Sequence, residues 1–233
     1  MEQILSGWMD DVYKATLYKD RWLVYLEGLG NTLLITVCAL AIGIVIGLTV
    51  ALLRVWCAPN KNGLQKLVGK VCSLYTTIIR GTPVIVQLLI LYTVALASAD
   101  GLVVCIVGFG INSGAYLAEV ARSGIGSVDP GQMEAGRSLG LSYGVTMRRI
   151  VLPQAVKNIL PALFNEFIAL LKETSVAGYI AVRDLTKASD GIRGLTFNSV
   201  PLYLAALVYL ALVIAITAVQ KRVERRLAQS DRN

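Results

Sequence analysis

Residues 131–140, Gly131-Gln132-Met133-Glu134-Ala135-Gly136-Arg137-Ser138-Leu139-Gly140, are followed by Ile150-Val151-Leu152-Pro153. They form a charged, small-residue stretch inside a chain that is otherwise mostly apolar. Local chemistry predicts a short helix here. Asp129 is a capping residue, Pro130 suits the first helical position, and Gln132 stands where a capping box places its return partner. Glu134 falls near the positive end of the helix dipole, which favours an acid. Gly140 supplies a left-handed stop, and Ser142 is placed to cap a second helix running toward Pro153. With Ala135 and Gly136 on its surface, the first helix can be approached closely by another protein's backbone. The plainer alternative is an ordinary loop of two short helices.

The rest of the chain says what kind of protein carries this loop. Of 233 residues, 55% are hydrophobic and 16% charged, with a mean hydropathy of +0.64. Soluble domains carry roughly 25% charge, and the apolar runs here approach bilayer length. The chain therefore reads as an all-α polytopic membrane protein with one domain of packed spans. The net charge of +7 does not point to nucleic acid, because of where the charge sits. Five of the 22 Lys and Arg lie between Arg122 and Lys157 and five between Lys221 and Arg232, next to apolar runs, as positive-inside topology requires.

Several chemistries are excluded or left without support. There is no His, which removes the commonest metal ligand and general base. Cys38, Cys57, Cys72 and Cys105 show no Cys-x-x-Cys spacing and read as small apolar residues rather than disulfides or metal ligands. No paired carboxylates mark a membrane enzyme. An acidic N-terminus (Glu2, Asp10, Asp11) and a late, long first apolar run point to a span rather than a cleaved signal peptide.

Hydropathy divides the chain into a lead-in over 1–25, a membrane domain over 26–222 and a tail over 223–233. Trp8, Tyr13, Tyr18 and Trp22 make the lead-in an amphipathic segment with interfacial anchors. Five spans are expected. The first ends near Leu53 and carries Gly43 and Gly47 as a small packing face; Arg54, Lys61, Lys66 and Lys70 follow it. The second covers about 67–97 with Arg80-Gly81-Thr82-Pro83 at its middle, and the third about 102–122. The loop occupies 123–157, and the fourth span covers about 160–182. A polar outer loop is expected over 183–200, and the fifth span covers about 202–219. Five spans place the N-terminus outside, the C-terminus in the cytoplasm, and every strongly basic segment on one side.

Polar groups inside spans mark cavities or helix partners. Arg80 and Gln87 lie on the second span, where Pro83 frees backbone carbonyls. The third carries Asn112, Ser113, Tyr116 and Glu119; the fourth carries Asn165, Glu166, Lys172, Glu173, Thr174 and Ser175. By residue count Arg80, Asn112 and Lys172 reach similar depth, where cations would face a carboxylate and acids an amine. The competing reading pairs Arg80 and Lys172 with Glu173 or Glu119 and leaves the polar groups as glue between helices.

The Glu-Ala-x-x-x-x-Gly pattern at 134–140 with its Ile-x-Leu-Pro tail resembles the EAA signature of bacterial ABC importer permeases. The chain departs from it at Gly136, where the family usually has a second Ala. Arg80-Gly81-Thr82-Pro83 with Gln87, Asn112 to Glu119, Asn165-Glu166-Phe167-Ile168 and Lys172-Glu173-Thr174-Ser175 resemble the polar amino acid branch, with its MetI-like transmembrane domain of importer type I. The resemblance covers about 25–225. It implies a bacterial inner-membrane permease with five spans, working as a homodimer or with a sister permease. It also implies a separate periplasmic amino acid-binding protein and two ATPase subunits docked on Glu134, Ala135, Gly136, Gly140 and Leu141. The substrate-path candidates are then Arg80, Gln87, Asn112, Ser113, Tyr116, Glu119, Asn165, Glu166, Lys172, Thr174 and Ser175. No phosphate-cradling Gly-x-x-x-x-Gly-Lys motif occurs, so the chain is expected to hold no cofactor and no metal, its partner binding ATP and Mg. A stand-alone ion-coupled transporter is disfavoured, because neither inverted repeats nor a charged filter ring is visible.

Overall fold

The computed structural model describes residues 2–57 and 62–230; the expected topology marker Lys61 and tail residues 231–233 lie outside them. In chain order the helices are α1 (Glu2–Thr16), α2 (Arg21–Cys57), α3 (Gly63–Gly81), α4 (Val84–Ile90), α5 (Gly101–Gly126), α6 (Pro130–Ser138), α7 (Tyr143–Thr146), α8 (Leu152–Glu173), α9 (Leu185–Thr196) and α10 (Val200–Ser230). Wider π-helical turns extend α4 over Leu91–Ala95 and join α7 to α8 over Met147–Val151, and a 3-10 stretch follows α8 over Thr174–Ile180.

Three of these helices, α2, α5 and α10, are long and apolar enough to cross a membrane. A fourth span results if α3 and α4 count as one, bent by 105° at the break between them. The bend has a local cause: Pro83 has no N–H for the ladder and holds Thr82 extended. The expected second span is thus two helices meeting at Thr82–Pro83. The expected fourth span, α8, falls short of membrane-length apolarity because Gln154, Lys157, Asn158, Asn165 and Glu166 dilute it.

The centre of the fold is the pair α2–α5, which run parallel: Gly43 lies against Ser113 and Gly47 against Leu117. Gly43 and Gly47 form the small face expected from their spacing: a Cβ there would come within 2.8 Å of Ser113 Oγ and 2.7 Å of Leu117 Cβ. Small residues answer from the other side, where a Cβ at Gly110 or Gly114 would meet Ile42 or Ile46 at 2.7 and 2.8 Å. Around this seam Ile35, Ala39, Leu88, Val104, Cys105, Phe109 and Leu170 make the core. Cys72 and Cys105 are buried, Cys38 and Cys57 half-buried, and all four are free thiols. Gly124 lets α8 approach, since a Cβ there would sit 2.3 Å from Ile159 Cγ1.

The expected polar outer loop over 183–200 contains a helix instead. Asp184 caps α9, accepting from the backbone N–H groups of Thr186 (2.8 Å) and Lys187 (3.0 Å). Leu185, Ala188, Ser189 and Ile192 are buried at i, i+3, i+4 and i+7. Burial pushes the Asp184 carboxyl above its ordinary range, and the two backbone donors pull it back.

Candidate functional site

The loop between α5 and α8 forms as its local signals require. Asp129 accepts from the Gly131 N–H at 2.8 Å with Pro130 at the first helical position. Gly140 takes φ +80°, and Ser142 accepts from the Val145 N–H at 3.4 Å. Gln132 does not close a capping box. Its side-chain oxygen accepts from Gln154 Nε2 at 3.3 Å, which ties α6 to the first turn of α8. A small core of Val128, Val151 and Ala155, with Met133 and Met147 against it, holds the two helical parts together. Asn158 donates to Ser127 Oγ at 2.9 Å.

Glu134, Ala135, Leu139 and Gly140 are exposed, and Leu141 is half-buried. Leu139 stands out with 79% of its surface open. Gly136 differs from its expected surface role. It is buried, and a Cβ there would lie 2.4 Å from Thr146 Cγ2. The glycine serves the fit of α6 on α7, while Ala135 and Leu139 face outward.

Between α2, α3 and α5 lies a polar cavity of about 750 Å³, lined by Arg54, Cys57, Gly69, Ser73, Thr76, Thr77, Arg80, Gly81, Glu119 and Arg122. Glu119 accepts from Arg54 across the cavity and from Arg122 at 2.8 Å. The Arg80 guanidinium rests on the Tyr116 ring, 5.1 Å from its centroid; a stacked cation of this kind keeps its charge available. One acid against three arginines leaves the cavity net positive.

Beside it, Gln87 bridges the bend. Its amide donates to the Ile79 carbonyl (2.7 Å) and the Thr82 hydroxyl (2.8 Å), and its oxygen accepts from Asn112 Nδ2 at 3.0 Å. Asn112 is 4% exposed, so here it joins helices. Ser113 is buried against Gly43.

The candidates on α8 sit elsewhere. Lys172 and Ser175 line a cavity of about 410 Å³ with Thr186, Leu202, Ala205, Ala206 and Tyr209. Thr174 is buried and donates to the Leu171 carbonyl at 2.8 Å. Asn165 accepts from Gln220 on α10 at 3.3 Å, and Glu166 is half-buried on the same helix. Arg80, Asn112 and Lys172 therefore do not share one cavity, although Arg80 and Glu119 do, with the Tyr116 ring against the Arg80 guanidinium. Sequence reasoning did not find the Arg54 and Arg122 clamp or the hydroxyls of Thr186 and Tyr209. Glu119–Arg122 carried an i, i+3 signal; the partners on other helices carried none.

Apolar helices around a polar cavity, with a capped helical loop of protein-docking character at one end, define a membrane translocation subunit. The family model described as "Binding-protein-dependent transport system inner membrane component" matches residues 43–229. The chain belongs to that family. It is 36% identical over 211 residues to the arginine transport system permease protein ArtQ of Bacillus subtilis (strain 168), covering 88% of this chain and 93% of that protein. A Rickettsia bellii chain named for glutamine transport, GlnP, is 37% identical over 225 residues, covering 91% and 97%. A crystal structure of an amino acid ABC transporter with histidines superposes with a TM-score of 0.79 at 38% identity, covering 87% of this chain and 94% of that one. An inward-facing MetNI methionine ABC transporter shares the fold, with a TM-score of 0.78 at 21% identity and coverage of 90% and 98%.

Proposed function

We propose that this chain is the translocation subunit of an ATP-driven importer of polar amino acids. A separate binding protein delivers the substrate, a separate ATPase binds ATP and Mg and docks on the α6–α7 loop, and a second copy or a sister permease completes the pathway. In this reading α8 is the fourth of five spans, the N-terminus lies outside and the C-terminus in the cytoplasm of a bacterial inner membrane. The names of the relatives, for arginine and glutamine, support the substrate class.

The observation that carries the reading is the unbroken helical run from Tyr143 to Glu173. It starts beside the exposed face of α6 and ends at Lys172, about 45 Å away at 1.5 Å per residue. Closure of the ATPase pair pushes α6, the cluster of Met133, Val128 and Val151 passes the push to the base of α8, and α8 moves against the rigid α2–α5 pair. The cavity then opens to alternate sides by rocking. Arg80 presents charge to a carboxylate and Glu119 to an amine, while Ser73, Thr76 and Thr77 replace lost hydration.

The test uses proteoliposomes holding permease, ATPase and binding protein. Uptake of labelled polar amino acids should need ATP. Tyr116→Cys, in a background lacking the four native cysteines, should react with a small thiol reagent at a rate that changes with an ATP analogue. No ATP-dependent uptake of any polar amino acid, together with nucleotide-independent labelling, rejects the reading.

A further inference from the structure

The transport reading leaves α1 without a role. The family match begins at residue 43, so membership does not account for it either. One face of α1 is apolar and open: Trp8, Met9, Val12, Tyr13, Thr16 and Leu17 line a shallow groove of about 410 Å³, with Met9 72% and Leu17 61% exposed. The other face is committed to protein. Ala15 is fully buried, α1 packs on α9 and α10, and Asp11 accepts from Asn198 at 3.2 Å in the turn between them. Asp10 and Lys14 pair at 2.5 Å along the edge.

We propose that α1 lies in the bilayer interface, its apolar face seated on lipid at the membrane surface where α2 begins, as a brace that fixes the α9–α10 turn relative to the bilayer. Three observations select lipid as the occupant. Beyond the charged turn at Lys19–Arg21 the apolar surface resumes at Trp22, Leu23 and Leu26, which are exposed with Tyr18 at the start of a membrane-length helix. That helix continues to expose Leu34, Val37, Val45 and Leu48 along its length, the side it offers to hydrocarbon. The groove is also rich in Trp and Tyr, whose amphipathic rings favour the headgroup level.

The turn between the helices has the matching chemistry. Lys19 and Asp20 take left-handed backbone angles, φ 53° and 54°, which redirect the chain from α1 into α2. Lys19 and Arg21 stand over the Tyr18 ring at 5.5 and 5.2 Å, cations at the height of lipid phosphates. A helix with an apolar face, a charged edge and low net hydrophobicity lies on a membrane rather than across it. Held to Asn198 on its inner side, α1 transmits the level of the membrane surface to α9.

The test is a depth measurement on the full permease–ATPase complex in phosphatidylethanolamine–phosphatidylglycerol vesicles. Nitroxides are placed singly at positions 9, 13, 10 and 14 in a background lacking the four native cysteines. Positions 9 and 13 should collide often with oxygen, which concentrates in lipid, and several-fold less with a water-soluble nickel chelate than positions 10 and 14. Equal nickel access at all four positions overturns the proposal in favour of an open helix. Shielding of 9 and 13 from both reagents overturns it in favour of a covering protein, a second copy or the binding protein. A second measurement needs no substitution: lipids with a photoactivatable acyl chain should crosslink to peptides spanning residues 8–17 of the unmodified complex. Crosslinks on α2 and α10 without any on α1 refute the seating.

Discussion

Gly136→Ala adds one methyl group at the tightest contact of the docking loop. The new Cβ would lie 2.4 Å from Thr146 Cγ2, 3.0 Å from its Oγ1 and 3.2 Å from Ile150 Cδ1. Carbon atoms settle about 3.5–4.0 Å apart, so α6 must move off α7 by about 1 Å. Thr146 cannot turn aside easily. It is fully buried, β-branched and stiff at χ1, and its hydroxyl donates to the Ser142 carbonyl at 3.0 Å. Overpacking of this kind costs about 1–3 kcal/mol, and the better helix propensity of Ala over Gly returns about 1 kcal/mol. The net loss is small, but the displacement falls on the surface that must fit a partner. Gly136→Ala should therefore keep assembly and lower amino acid uptake per ATP hydrolysed in proteoliposomes several-fold. Thr146→Ser removes Cγ2 and keeps the hydroxyl donor, so the double variant should regain coupling, giving a cycle far from additive. Wild-type coupling in Gly136→Ala, or a double variant no better than the single one, would refute the contact argument.

Three further outcomes follow from the geometry. Glu134→Lys reverses an exposed charge and Gly140→Leu forces a side chain onto a φ of +80°, a strain of about 1–2 kcal/mol; both should reduce ATPase co-purification or coupling while insertion persists, and normal uptake by both would remove the docking role. Glu119→Gln leaves Arg54 and Arg122 without their shared acid. The Glu119 and Arg54 side chains are about four-fifths buried while Arg122 is more than half exposed, so the purified protein should melt lower by an amount worth roughly 1 kcal/mol; an unchanged melting curve would show that the clamp contributes nothing to stability. A topology reporter inserted at Phe197, which is 93% exposed, should lie opposite a reporter at the end of α10; a site near Asp190 is unsuitable because it would break α9. Both reporters on one side would overturn the proposed topology.

What the sequence made legible was local. Asp129, Pro130, Gly140 and Ser142 announce their helix ends because a cap is settled within three or four residues. Gly43 and Gly47 announce a close packing face by spacing alone, and Pro83 announces a break, though not its 105° angle, which depends on what α3 and α4 pack against. Helix α9 was legible and went unread: Asp184 followed by Leu185, Ala188 and Ile192 is a capped amphipathic pattern, hidden by the polar average of the segment. The burial of Gly136 was not legible, because a small residue on a short helix serves an inward or an outward approach equally well. Nor was the partition of the polar residues. Depth along a span can be counted from sequence, but whether Arg80 and Lys172 look into one cavity depends on helix rotation, fixed here by Gly43 against Ser113 and Gly124 against Ile159.

The polar make-up of α8 has a consequence for how the chain enters the membrane. α8 carries Asn158, Asn165 and Glu166 within its length and Lys157 and Lys172 toward its ends, and ionisable groups inside a span are costly in lipid, so α8 does not partition as an independent segment. It leaves the channel only against a surface already in place, and that surface is α5, whose Gly124 accepts Ile159, together with α2. Its other companion, α10, with Gln220 reaching Asn165, emerges from the ribosome last. The nascent permease thus passes through a stage in which this polar helix packs on α5 and α2 but still lacks α10. Chains cut short before α10 are the ones a membrane quality-control protease should meet.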